Sequence, residues 1–377
     1  MSFDDHTITT NLNTTVIKTG LHIILTTDED DSRPVYLSGN FNNWLTQDKA
    51  YVMEKIGSGL YHFKFKHDFE YPETLLYKFT KGDWSEVEID ADGNITSNRY
   101  TTNHSGVQKE HVSKWRRNWL PFKPNYLPKI VLISDEFEIP QLNKTRKIWA
   151  LLPHDYHSSS ESYPVMYLQD AQNLFNEEAE YGNWEIDKKL AVMSEYKIGK
   201  IIIVAIEHAK EDRIKEYNVG TTLLGKGQGK KYIKFLTETL KPFVDSNFRT
   251  KKEREFTGIG GSSMGALVSI FSGIRYPEIF GRLMIFSPSL WVGPKLKIKS
   301  QEETQDTKIY LYAGGDESET MIDQVQKFKN QMIEDGFVAN RMKINLSINK
   351  LGKHTETFWS DEFPKAIEWL FFNTKEN

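Results

Sequence analysis

The chain has 377 residues, 38% hydrophobic and 27% charged, with a formal net charge of −4. That length favours two domains over one, and that charge provides no field to gather nucleic acid or an anionic membrane surface. There are no cysteines, which excludes disulfides, thiolate metal sites and a cysteine nucleophile but leaves the compartment open.

The N-terminal stretch MSFDDHTITTNLNTT is acidic and polar. It has neither the basic nor the apolar segment of a secretion signal, so the sequence as given reads as cytoplasmic, or as periplasmic or secreted if a signal has been removed. No apolar run reaches the length of a membrane span. Residues 1–103 read as β. RPVYLSGNFNNW is a short apolar run ending in a Gly/Asn turn. GLYHFKFKHDF alternates, with Tyr61, Phe63 and Phe65 on one side, and TLLYKFTKGDW and SEVEIDADGN supply two more strands. Short alternating segments with Asn/Gly punctuation predict an antiparallel, immunoglobulin-like β-sandwich. Residues 104–128 (HSGVQKEHVSKWRRNWLPFKPNYLP) are basic, aromatic and proline-bearing without a sustained period. They read as a connector lying on a surface.

Residues 129–377 alternate strand and helix. KIVLISDEFEI, RKIWALLP, YPVMYLQD, KIIIVAIE, EFTGIGG, GRLMIFSP, TKIYLYAGG and NRMKINLSI are strands. WEIDKKLAVMSEY, KKYIKFLTETLKPFVDSNF, MGALVSIFSGIRYP, MIDQVQKFKNQMIED and DEFPKAIEWLFF have helical spacing. This alternation predicts a mainly parallel sheet with crossover helices.

Gly261-Ser262-Ser263-Met264-Gly265 fits G-x-S-x-G between an apolar, Gly-rich strand and a helix. A serine on such a turn is forced into a strained, exposed conformation, and small neighbours are needed where strand and helix approach. The helix that starts at Met264 points free N–H groups at the same place, where an oxyanion would form. The bland reading is a capping serine in a tight turn. A serine nucleophile needs a base. Of ten histidines, only His354 follows Ser263, in a loop before the last helix. The acid is expected after the preceding strand, where Asp316, Glu317 and Glu319 all stand. Spacing does not choose among them. One oxyanion donor is the Met264 N–H; the other is expected from the loop at Asp170 to Gln172. Trp291 and Trp184 are candidates to line an acyl or alcohol pocket, and equally candidates for core packing. Arg213 is a candidate partner for a substrate carboxylate or catechol, with a loop-pinning salt bridge the stronger reading. The cations of KWRRNW read as a solvated face rather than a ligand site. No H-E-x-x-H or comparable ligand spacing occurs, so neither metal nor cofactor is expected.

From Lys129 onward the chain resembles the putative-esterase family of α/β-hydrolases. YPVMYLQDAQNLF, GNWEID, EDRIKEY, GGSSMGALVSI, FGRLMIFSPSLW, LYAGGDE and GKHTETFW carry the likeness, in order. The resemblance implies an α/β-hydrolase domain with activities of the enterochelin-esterase and feruloyl-esterase kind. It selects Glu317 as acid, with Asp316 as second choice, and Gln172 as second oxyanion donor. Ala171 stands where the family often has Gly. The N-terminal segment resembles a starch- or glycogen-binding carbohydrate-binding module. That likeness places Trp44 and Lys78 at glycan-contacting positions, with Trp84 nearby but offset; the resemblance to enterochelin esterases, which also carry an N-terminal β-sandwich, equally implies a structural or substrate-shaping role.

The expected function is that of a serine carboxylic ester hydrolase with a Ser263-His354-Glu317 triad and an acyl-enzyme intermediate. Its substrate would be a small-molecule or glycan-linked ester of carbohydrate, phenolic or siderophore type. The alternatives are an acyltransferase using the same triad and a glucan-binding protein with an inactive hydrolase domain.

Overall fold

A computed structural model describes residues 20–372 except 32, 67, 92–95, 117–121, 177–178, 180–181, 223–224, 293–305 and 335–341. The N-terminal stretch read for a secretion signal lies outside the described residues, as does the second half of KWRRNW. The chain divides into two compact units, Met1–Asn118 and Trp119–Asn377.

In the first unit, β1 (Leu21–Thr27), β2 (Tyr36–Gly39), β3 (Glu54–Gly57), β4 (Leu60–Lys64), β5 (Leu75–Thr80), β6 (Glu88–Ile89), β7 (Arg99–Thr101), β8 (Gly106–Val112) and β9 (Lys114–Trp115) follow in order. They form a four-stranded sheet β3-β4-β1-β8, a three-stranded sheet β2-β5-β7 and a short pair β6-β9. The first two sheets share one core, in which Ile23, Leu37, Tyr61 and Phe79 are buried. The alternation of GLYHFKF is realised, with Tyr61, Phe63 and Phe65 all inward.

Two features depart from the sequence reading. Residues 106–115, read as connector, are strands, and β8 joins β1 in parallel rather than antiparallel register. Their ends explain this. Val112 and Trp115 are buried, and the Trp115 indole N–H donates to Thr27 Oγ1 at 3.1 Å. Glu110 accepts from the Tyr77 hydroxyl at 2.7 Å and pairs with Arg99.

The second unit is built on an eight-stranded sheet in the order β10-β11-β13-β12-β16-β17-β18-β19. Its elements are β10 (Lys129–Ile139), β11 (Lys144–Leu152), β12 (Val165–Gln169), α1 (Ile186–Glu195), β13 (Ile202–Ile206), α2 (Arg213–Tyr217), β14 (Thr221–Thr222), β15 (Gly225–Lys226), α3 (Gly229–Phe235), α4 (Lys241–Asn247), β16 (Thr257–Ser262), α5 (Met264–Arg275), β17 (Arg282–Phe286), β18 (Thr307–Gly314), α6 (Met321–Glu334), β19 (Met342–Asn349) and α7 (Glu356–Ile367). The β10-β11-β13 pairings are antiparallel and the rest of this sheet is parallel. Strands β12 and β13 are buried at every position, as expected for a sheet with helices on both faces. One long helix was expected over residues 230–248. It is interrupted by a π turn at Leu236–Leu240 just before Pro242, whose ring cannot accept a continuous α ladder.

Candidate active site

Strand β16 ends in Ser262 and α5 begins at Met264, so a single residue makes the reversal. That residue is Ser263, at φ 55° and ψ −119°. A non-glycine residue there is strained and persists only where its surroundings enforce it. Two contacts do so: the Ser263 N–H donates to Phe286 O at 2.9 Å, and Leu267 N–H donates back to Ser263 O at 3.1 Å. The flanking glycines allow the approach. A Cβ on Gly265 would stand 2.9 Å from Asp170 Oδ2, and one on Gly260 2.6 Å from Met284 O. The serine is left partly exposed at the carboxyl edge of the sheet, at the head of α5.

Strand β18 ends at Gly314 and its turn carries the three candidate acids. Asp316 and Glu319 are exposed. The Glu317 side chain is 1% exposed, with Oε2 2.8 Å from His354 Nδ1. Its Oε1 accepts from the Gly314 N–H at 2.7 Å and from the Ser287 hydroxyl at 2.6 Å. A carboxylate that accepts at both oxygens puts the donor on His354 Nδ1, which leaves Nε2 with a lone pair. The His354 ring stands edge-on to Trp359, centroids 4.8 Å apart. The Trp359 indole N–H donates to Ser287 Oγ at 2.9 Å. Ser263 Oγ bonds Ser289 Oγ at 3.1 Å.

The loop after β12 opens with Asp170 at φ 62°. Its carboxylate takes two hydrogen bonds from Arg213, at 2.7 and 2.8 Å, and one from the Tyr217 hydroxyl at 3.2 Å. Burial opposes the charge on Arg213, and Asp170 more than offsets it, holding the guanidinium above its ordinary value. Arg213 therefore pins the loop, and the substrate-contact reading gives way to the salt bridge. Removing one partner of a buried pair strands the other. Asp170→Ala is expected to lower unfolding free energy by about 3 kcal/mol, read from urea midpoints at unchanged m-value. Gln172 sits inside this loop. Its side chain exchanges hydrogen bonds with the His208 backbone, at 3.0 and 3.2 Å, which fixes where the loop runs.

Next along the loop, Asn173 Nδ2 donates to Glu356 Oε1 at 3.1 Å, tying the loop to the start of α7. Burial pushes the Glu356 carboxyl above its ordinary 4.5; its own backbone N–H, Asn173 and His354 partly counter this. The folded state thus binds this proton more tightly than the unfolded chain. The stabilisation is complete below the unfolded value and is lost as pH rises through the folded one. Glu356→Gln keeps the acceptor for Asn173 without the charge. Its urea midpoint is expected to exceed the parent's near pH ~7.5, and the gap to close below pH ~4.

The aromatics divide. Trp184 is 2% exposed and stacks on Phe286 at 5.6 Å between centroids, so it is core rather than pocket wall. Trp291 is 71% exposed, two residues beyond Ser289. In the first unit, Trp44 and Trp84 lie 6.1 Å apart between ring centroids, and Trp84 is exposed. Lys78 is not offered to a ligand: it is buried, and its ammonium donates to Thr96 and Ser97. Sequence reading also missed Ser287, Ser289, Trp359, Asn173 and Glu356. Their signal is that Ser287 and Ser289 lie in FGRLMIFSPSLW, Asn173 in YPVMYLQDAQNLF, and Glu356 and Trp359 in GKHTETFW, all stretches that carry the family resemblance. Among the described residues, no three His, Asp or Glu side chains are grouped to hold a metal ion, and no helix is long and apolar enough to cross a membrane.

A mostly parallel sheet with crossover helices, and a strained serine between β16 and α5, define an α/β-hydrolase. The chain belongs to the Putative esterase family, whose profile matches residues 139–370. It is similar to YbbA of Bacillus subtilis (strain 168), 24% identical over 243 residues that cover 60% of this chain and 92% of YbbA. Among solved structures it is similar to an IroE-like serine hydrolase from Shewanella oneidensis, at 19% identity and a TM-score of 0.52, covering 66% of this chain and 82% of that one. It is also similar to the enterobactin esterase of Shigella flexneri, solved in the presence of enterobactin, at 14% identity and a TM-score of 0.52, covering 91% of each chain. The protein is a carboxylic ester hydrolase.

Proposed function

We propose that the protein is a serine esterase working through an acyl-enzyme. Ser263 is the nucleophile, His354 the base and then the acid, and Glu317 the group that orients His354. His354 Nε2 takes the Ser263 proton as Oγ attacks the ester carbonyl. The Met264 and Gln172 N–H groups receive the oxyanion. His354 returns the proton to the departing alcohol, and water, activated by the same imidazole, then releases the acid. The observation that carries this reading is the 2.8 Å bond between the buried Glu317 carboxylate and His354, in a fold that also holds a serine at φ 55° on a helix head. Hydrolysis of p-nitrophenyl acetate by the parent and by Ser263→Ala tests it. A panel of acetyl, feruloyl and catecholate esters then assigns the substrate among carbohydrate, phenolic and siderophore types. Exposed Trp291 is the ring proposed to meet the acyl or alcohol group. An added acceptor sugar separates hydrolysis, which yields free acid, from transfer, which yields a new ester.

For the first unit we propose an immunoglobulin-like β-sandwich that binds α-glucan on Trp44 and Trp84. The 6.1 Å ring pair supports this second reading, because two rings in contact make one continuous apolar platform on which a sugar face can stack. Retarded migration of the parent in amylose-containing native gels, abolished in Trp84→Ala, is the expected result. Equal migration of both would overturn it.

A further inference from the structure

The proposed nucleophile and acid leave the sheet from β16 and β18, and the strand between those two is β17. The turn that follows β17 is Ser287-Pro288-Ser289, and it touches both. Ser289 Oγ lies 3.1 Å from Ser263 Oγ, and the Ser289 N–H donates to Ser263 O at 3.2 Å. Ser287 Oγ lies 2.6 Å from Glu317 Oε1. The direction of that second bond is set. An indole N–H only donates, so Trp359 takes an acceptor position on Ser287 Oγ, and the single hydroxyl proton is left for Glu317. Ser287 itself stands at φ 45°, wholly buried, with its N–H on Tyr312 O at 2.9 Å. An L residue keeps such a backbone only where its surroundings impose it.

We propose that Ser287 and Ser289 are positioning residues, Ser287 acting through Glu317 and Ser289 through Ser263, so that one turn sets acid and nucleophile in register. This rests on the triad reading given above. In the proposed arrangement Ser289 is the donor of this hydroxyl pair, to a lone pair of Ser263 Oγ, which holds that oxygen in one rotamer and leaves its proton for His354. The bond strengthens as charge gathers on Oγ during proton transfer. Ser287, aimed by Trp359, occupies Glu317 Oε1 together with the Gly314 N–H. The carboxylate then has one oxygen left, and it faces His354.

The test is steady-state hydrolysis of p-nitrophenyl acetate by Ser289→Ala, Ser289→Thr, Ser287→Ala and Trp359→Phe, with urea midpoints to establish that each is folded. Loss of one oriented hydrogen bond in the transition state is worth roughly tenfold. Ser289→Ala is expected to lose about tenfold in kcat at unchanged KM, and Ser289→Thr, which keeps the hydroxyl, to recover most of it. Ser287→Ala and Trp359→Phe are each expected to lose about tenfold or more in kcat, and the double variant to be no worse than Ser287→Ala, because both act through one bond. A merely structural role would move midpoints and leave kcat alone. The proposal is overturned by kcat within about twofold of the parent in the three deletion variants, by a rise in kcat for Ser289→Ala, or by additive losses in the double variant. Trp359→Phe keeps the test open should Ser287→Ala not fold. Ser263→Ala is run alongside. If it turns over like the parent, the triad reading fails whatever the turn does; if it is inactive while the other variants are normal, only this inference fails.

Discussion

Ser263→Ala is expected to lower kcat toward p-nitrophenyl acetate by roughly 10⁴–10⁶-fold, with KM and the urea midpoint close to the parent's. Loss on that scale follows from removing the atom proposed to form the covalent bond, which no neighbour replaces. Ser289 Oγ is 3.1 Å away, yet it is buried and its own N–H is bound to the Ser263 carbonyl. Stability should barely respond. The deleted hydroxyl is partly exposed and, among the described residues, bonds one other hydroxyl, and Ala is as uncomfortable at φ 55° as Ser. Ser263→Gly separates strain from chemistry. Glycine adopts positive φ freely, so this variant should be equally inactive but more stable by about 1 kcal/mol. Catalysis in Ser263→Ala within tenfold of the parent would remove the serine-nucleophile reading. A Gly variant less stable than the Ala variant would remove the claim that the bend is strained.

What local pattern dictates, the sequence discloses. The elbow is legible because its requirements are contiguous: an apolar glycine strand, one serine, a small residue and a helix. Strand β13 is legible because burial on both faces leaves five apolar residues in a row. Strand β8 is not legible as a strand, because its partners are distant and its faces are polar. Its register is set by Arg99 and Tyr77 on Glu110 and by Trp115 on Thr27, the last pair 88 residues apart. The same limit governs the site. Asp316, Glu317 and Glu319 are equivalent acids in the text of the turn. Burial of one and exposure of the others separates them, and that depends on Gly314 N–H and Ser287 coming to the same carboxylate oxygen. Trp184 and Trp291 are likewise equal in sequence and opposite in place, one stacked beneath the sheet edge on Phe286 and one in solvent. Ser287 and Trp359 are 72 residues apart, so nothing local marks either as support for an acid on a third segment.

Glu317→Gln should cost about 10⁴-fold in kcat while leaving the fold intact, because it inverts a single proton's position. The carboxylate accepts three hydrogen bonds: two at Oε1 from Gly314 N–H and Ser287 Oγ–H, and one at Oε2 from His354 Nδ1–H. An amide supplies one acceptor oxygen and one donor nitrogen. Turned with its oxygen toward Gly314 and Ser287, it keeps the two buried bonds and presents N–H to His354 Nδ1. The imidazole can then accept only by moving its own proton to Nε2, which takes away the lone pair proposed to receive the Ser263 proton. Turned the other way, the amide sets an N–H against the fixed Gly314 N–H donor and forces the Ser287 hydroxyl to turn its proton away, which is the worse arrangement. The first orientation should therefore dominate, so the variant folds and binds but fails at the proton transfer. KM should be nearly unchanged and kcat should collapse. Glu317→Asp keeps charge and tautomer but shortens the reach by one methylene, so it should retain more activity than Glu317→Gln. A Gln variant within tenfold of the parent would show that Glu317 does not hold the tautomer during turnover, and Asp316 would then be the acid to test.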